Sequence, residues 1–157
     1  MKRLFQYNWM VRGEWYKWCE DVSEEELLKE RIGGLGNILH TLFHIIEVEW
    51  SWIRLLQGNP ECEESFDQYR SLAQVRQLDA RFRLEVENFV NNWDDSLETE
   101  LLFETLDDGS VVINQWGEVV RHIIVHEIHH IGQLSIWARE LGKRPVSANF
   151  IERGLVS

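Results

Sequence analysis

Cysteine is scarce in this chain. Cys19 and Cys62 are the only two in 157 residues, and they form no CxxC pair. That excludes a zinc ribbon or a thioredoxin-type motif and leaves two free thiols as the expectation. Long apolar runs are also missing. No stretch approaches the roughly 18 uncharged apolar residues of a transmembrane helix, and residues 1–9 contain no continuous apolar core of a signal peptide. The expected compartment is therefore the cytoplasm. Basic residues are few, with 16 lysines and arginines against 27 acids, a net charge of -11. Nucleic-acid binding needs a basic face, so it is not expected, and an anionic membrane surface is disfavoured. Most of the acidity reads as a solvated surface. There is no GxSxG sequence, and Gly33-Gly34-Leu35-Gly36 lacks the lysine or preceding strand of a phosphate-binding loop.

What remains is a soluble-type composition, 44% hydrophobic and 27% charged, of a length that suits one domain over residues 1–157. Eight tryptophans are available as core wedges or pocket walls. The first long helix is expected from Lys2 to Glu20. Ser23-Glu24-Glu25-Glu26 reads as a capping box opening a short helix to about Arg31. A second long helix is expected from Leu35 to Gln57, stopped by Gly58-Asn59-Pro60. After an acidic loop over 61–70, Ser71 and Gln74 cap a third helix running to Trp93. Residues 97–113, centred on Asp107-Asp108-Gly109, read as a short hairpin or ordered loop. The last helix is expected from Asn114 to Leu141, with Gly142 as its C-terminal glycine and Pro145 just beyond. The fold class that follows is all-α, a four-helix bundle with a short hairpin or loop before the last helix.

All six histidines fall on two of these helices: His40 and His44 on the second, and His122, His126, His129 and His130 on the last. At about 100° per residue, with His122 at zero, His126, His129 and His130 lie near about +40°, −20° and +80°. Gln133 falls inside the same arc. Val120, Ile124, Ile128, Ile131 and Leu134 take a neighbouring arc and are expected in the core. Glu47 shares a side with His44. Two imidazoles four residues apart, joined by one from a facing helix, make a three-nitrogen cap for a divalent ion. Three protein ligands leave coordination positions open, as catalytic sites do. Six histidines exceed what one ion needs, so some have other roles.

The stretch His122-Ile-Ile-Val-His126-Glu-Ile-His129-His130-Ile-Gly132-Gln133-Leu resembles the last-helix signature of the DinB/YfiT-like family of metal-dependent enzymes. Leu39-His40-Thr-Leu-Phe-His44-Ile-Ile-Glu47-Val-Glu49-Trp50 is similar to the motif of their second helix. The resemblance spans about residues 1–145. It implies a four-helix bundle holding one divalent ion, zinc or nickel, through His44, His126 and His130. His40, His122 and His129 would then not be ligands. It also implies a homodimer and, for some members, activation of a low-molecular-weight thiol for transfer to an electrophile. One feature departs: an arginine often precedes the Gly-Gln pair, where this chain has Ile131.

The functional expectation is a metal-dependent thiol transferase or hydrolase acting on a small molecule, with Glu47 and Glu127 as candidate acid–base residues and no nucleic-acid or membrane partner. Trp50, Trp116 and Trp137 are candidate pocket walls or ordinary core residues. A non-catalytic, metal-stabilised bundle in stress response is the alternative. His126-Glu127-Ile128-His129-His130 is also a literal HExxH, which points to a zinc peptidase with Glu127 as base and Glu152 as the nearest further ligand. Otherwise Glu127 reads as a helix-surface acid supporting Arg121.

Overall fold

The computed structural model describes residues 1–60 and 63–155, so Cys62 lies outside the described residues. Helix α1 spans Lys2–Cys19, α2 Glu24–Leu28, α3 Ile38–Leu56, α4 Leu72–Asn91 and α5 Trp116–Glu140. Strands β1, Leu101–Thr105, and β2, Val111–Gln115, form one antiparallel hairpin between α4 and α5, with Phe103 opposite Ile113. The all-α expectation holds in outline, because the chain is mostly helical. A plain four-helix bundle is too simple a description: the described residues include a fifth helix and a two-stranded sheet. None of these helices is long and apolar enough to cross a membrane.

Local chemistry explains the boundaries. The Ser71 hydroxyl accepts from the Gln74 amide while the Gln74 side chain accepts from the Ser71 amide, a reciprocal cap that starts α4. Gly142 (φ 67) closes α5: its amide bonds Arg139 and the Lys143 amide reaches back to Ala138, a Schellman pair. Several expected starts or ends shift, among them the end of α4, at Asn91 rather than Trp93. Helix α3 begins at Ile38 rather than Leu35, because the Asn37 side chain accepts from the His40 amide at 2.7 Å. Helix α5 begins at Trp116 rather than Asn114, because Asn114 and Gln115 pair with β1 and Gln115 with Glu118 makes the cap. Helix α2 stops at Leu28 rather than near Arg31, whose guanidinium turns back to bond the Glu26 carbonyl and carboxylate.

Helix α3 packs against both α4 and α5, and α1 packs against the same two. Two apolar clusters fill the interior. One holds Val11, Trp15, Leu39, Leu42, Leu134 and Trp137. The other holds Phe5, Ile53, Val86, Val120, Ile123 and Ile124, with Leu102 of the hairpin. Each long helix also buries one charged residue: Arg12 on α1, Glu49 on α3, Asp79 on α4 and Glu127 on α5. Glu49 and Glu127 fall between the two clusters along their helices.

Candidate metal centre

Helices α3 and α5 lie side by side, and their facing histidines meet. His126 Nε2 sits 3.1 Å from His44 Nε2 and 3.1 Å from His130 Nε2. One nitrogen from each ring lies within 4.8 Å of the other two. Nitrogens held at 2.1 Å from a tetrahedral ion are separated by about 3.4 Å, close to what is observed.

The outer nitrogens decide how those inner nitrogens present themselves. His130 Nδ1 is 2.8 Å from Gln133 Oε1, an acceptor only, so the imidazole hydrogen sits on Nδ1. His44 Nδ1 lies 3.3 Å from a Glu47 carboxylate oxygen. His130 Nε2 therefore turns its lone pair toward the centre, 3.1 Å from His126 Nε2. A cation at the centre satisfies all three nitrogens at once, and hydrogen-bonded outer nitrogens are the usual support of metal-bound imidazoles. Charge on the two α5 rings is disfavoured. Burial, reinforced by His130, His44, His122 and His129, pushes His126 down to about 3. Burial also lowers His130, against the opposing hydrogen bond from Gln133. Neutral imidazole is the form that binds metal.

Gln133 is itself held in place. Its amide nitrogen donates to His129 Nε2 at 3.0 Å. The Gly33–Gly36 turn lies over it so closely that a Cβ on Gly34 (φ 53) would sit 2.5 Å from Gln133 Oε1. A side chain at position 34 would force the Gln133 amide to shift.

The remaining histidines place no nitrogen in the three-membered cluster. His40 stacks on Phe66 with 4.2 Å between ring centroids. His122 meets Trp52 edge-on, and His129 is exposed on the outer side of Gln133. Trp50 stacks on Phe82 at 3.7 Å, Trp137 is fully buried in the core and Trp116 lies by Phe89, so these three serve packing. Ile128, expected in the core, is 41% exposed, because its position falls at the edge of the buried arc of α5.

Glu127 corrects the surface expectation most sharply. It is 2% exposed, and both carboxylate oxygens belong to Arg12, at 2.9 Å from Nε and 2.5 Å from NH2. Arg121 pairs with Glu98 instead. The HExxH reading thereby loses its base, and Glu152 lies outside the histidine cluster. Arg12 also donates to Glu49 at 3.0 Å and Asp79 at 2.9 Å. Asp79 further accepts from Tyr16 and Arg83, and Glu49 from the Trp9 indole. Burial alone would lower the Arg12 pKa, but Glu127, Glu49 and Asp79 overcome it and hold the guanidinium charged. Burial raises Glu127, opposed by Arg12. Sequence reasoning passed over Arg12, although it stands three residues before buried Trp15 and four after buried Asn8, on the inward face of α1.

Comparison with known proteins agrees with this picture. The DinB family profile matches residues 1–153. A protein of Bacillus subtilis (strain 168), described as uncharacterized protein YizA, is 48% identical over 155 residues, covering 99% of this chain and 96% of that one.

Proposed function

Because this chain belongs to the DinB family and three imidazoles of α3 and α5 converge on one point, we propose that it is a metal-dependent enzyme acting on a small molecule. His44, His126 and His130 would hold one divalent ion, zinc or nickel, for which imidazole is a suitable donor. Three protein ligands leave room for a reactant. Such an ion supplies Lewis acidity, lowering the pKa of a small-molecule thiol or of water at neutral pH. The chain's own residues do the positioning. Gln133 fixes the tautomer of His130, and Glu47 lies beside His44. The single observation that carries the reading is the convergence of three imidazole nitrogens, one from each of His44, His126 and His130, on one point.

Thiol transfer to an electrophile is the reaction favoured, with hydrolysis as the competing class. Glu47 supports either as an orienting group, because its carboxylate already faces His44. Glu127 does not, since Arg12 occupies it. The test is turnover by zinc- and nickel-loaded protein on a panel of thiols with electrophiles and a panel of small esters and amides. The expected result is activity in one panel that His126→Ala abolishes. Activity indifferent to both metal and His126 would overturn the reading. A folded, metal-loaded protein inactive on both panels would leave the ion as a staple between α3 and α5, the non-catalytic alternative.

A further inference from the structure

Two cavities lie near the histidine cluster, one of about 220 Å³ between α3, β2 and α5 and one of about 200 Å³ between α3 and β1. Trp52 is a wall of both. The first is also lined by Asn114, Glu118 and His122, the second by Glu47 and Glu104. Each touches the candidate metal centre through one residue. His122 lies next to His126, with ring centroids 5.8 Å apart, and Glu47 faces His44. The hairpin contributes Asn114 of β2 to the first and Glu104 of β1 to the second.

Their chemistry is one-sided. Neither lining contains a lysine or arginine, whereas each contains carboxylates and both share one indole. Among the described residues the Trp52 N–H donates to no protein group, and its ring contact is the edge-on one with His122. Glu104 has no ion-pair partner among the described residues. Glu118 also accepts from the Gln115 amide and Glu47 lies by His44, so Glu104 is the carboxylate left without such a contact among the described residues. An indole beside such a carboxylate attracts an organic cation and repels phosphates and carboxylates.

We propose that the two cavities sharing Trp52 recognise a small molecule carrying a protonated amine, which sits against the indole beside a lining carboxylate, Glu104 first among them. The proposal rests on the metal-dependent reading only for where the reacting end of that molecule lies, toward His44, His126 and His130. The class excluded is the anionic substrate.

Butylammonium, butanol and butyrate are the probes, identical in length and free of thiol. Each is titrated into chelator-treated protein, because a carboxylate can ligate zinc, while the indole N–H resonance of Trp52, identified by its loss in Trp52→Phe, is followed by NMR. Butylammonium is expected to move that resonance with an affinity about tenfold or more above butyrate. Glu104→Gln with Glu118→Gln is expected to bring the two toward parity. Glutamine at 118 retains the cap on α5, and Glu104→Gln alone serves as a second variant. Equal response to butylammonium and butyrate, a stronger response to butanol, or discrimination unchanged in the glutamine variants would overturn the proposal. Because butylammonium needs no metal, failure of zinc to bind would count against the metal centre while leaving this result readable.

Discussion

Gln133 holds His130 by the outer ring nitrogen, Oε1 to Nδ1 at 2.8 Å, and Gly34 leaves the space in which that amide sits. The relationship links a glycine turn before α3 to the orientation of an imidazole on α5. Gly34→Ala is expected to displace Gln133 and weaken metal binding by about 10- to 100-fold, the usual effect of losing such a support. It also costs about 1–2 kcal/mol for a left-handed backbone. Gly33→Ala is the control. Its φ is also positive, but its Cβ would meet nothing within 4 Å, so it pays the backbone term and keeps metal affinity. Chelator competition and thermal melting measure the two effects separately. Equal metal affinity in both variants would contradict the account.

The Arg12 layer predicts a large stability effect with a distinct signature. Arg12→Met leaves Glu49, Asp79 and Glu127 buried around an apolar side chain. Breaking a buried ion pair by removing one partner costs about 3–5 kcal/mol. Urea unfolding measures it. A loss below about 1 kcal/mol would show that the carboxylates find other partners or water.

These two features mark where sequence reasoning ran out. The helices were legible because their caps are local: Ser71 with Gln74, and Gly142 after a periodic apolar stripe. The histidine clustering was legible because a 3.6-residue period places His126 and His130 on one side. The same arithmetic puts Glu127 near about 140° from His122, between Leu134 and Ile131 in the buried arc. A carboxylate there demands a buried cation, but the partner comes from α1, 115 residues away. The Gly34–Gln133 approach and the hairpin's share in the two cavities are likewise tertiary facts. Nothing local to Gly34 or Glu104 announces them.

In the chelator-treated protein, stability should depend on pH through His126. Its folded pKa is lowered to about 3 by burial and by the neighbouring histidines, against an unfolded value near about 6.5. Below that value the unfolded chain takes up a proton that the folded chain refuses. The contribution is thus fully present above about pH 6.5 and lost as pH falls toward about 3. His130 shifts in the same direction. The urea midpoint is expected to drop between about pH 7 and 5, and more steeply in wild type than in His126→Asn. Identical slopes would rule this contribution out.

Cys19 is buried, and burial pushes its thiol up to about 12. The thiolate is the reactive form, so in a Cys62→Ser background Cys19 should resist alkylation at about pH 8 until denaturant is added. Mass spectrometry reads the label directly. Rapid labelling of the folded protein would show that the α1 end opens far more readily than its packing implies.

The central claim is that His44, His126 and His130 hold a divalent ion. Elemental analysis of protein purified without a histidine tag or metal resin, before and after incubation with zinc or nickel and gel filtration, tests it most directly. The account predicts about one equivalent of ion per chain in wild type, and its loss in a folded His44→Ala, His126→Ala, His130→Ala variant. Full retention in that variant, or a wild type that takes up neither metal, would contradict it.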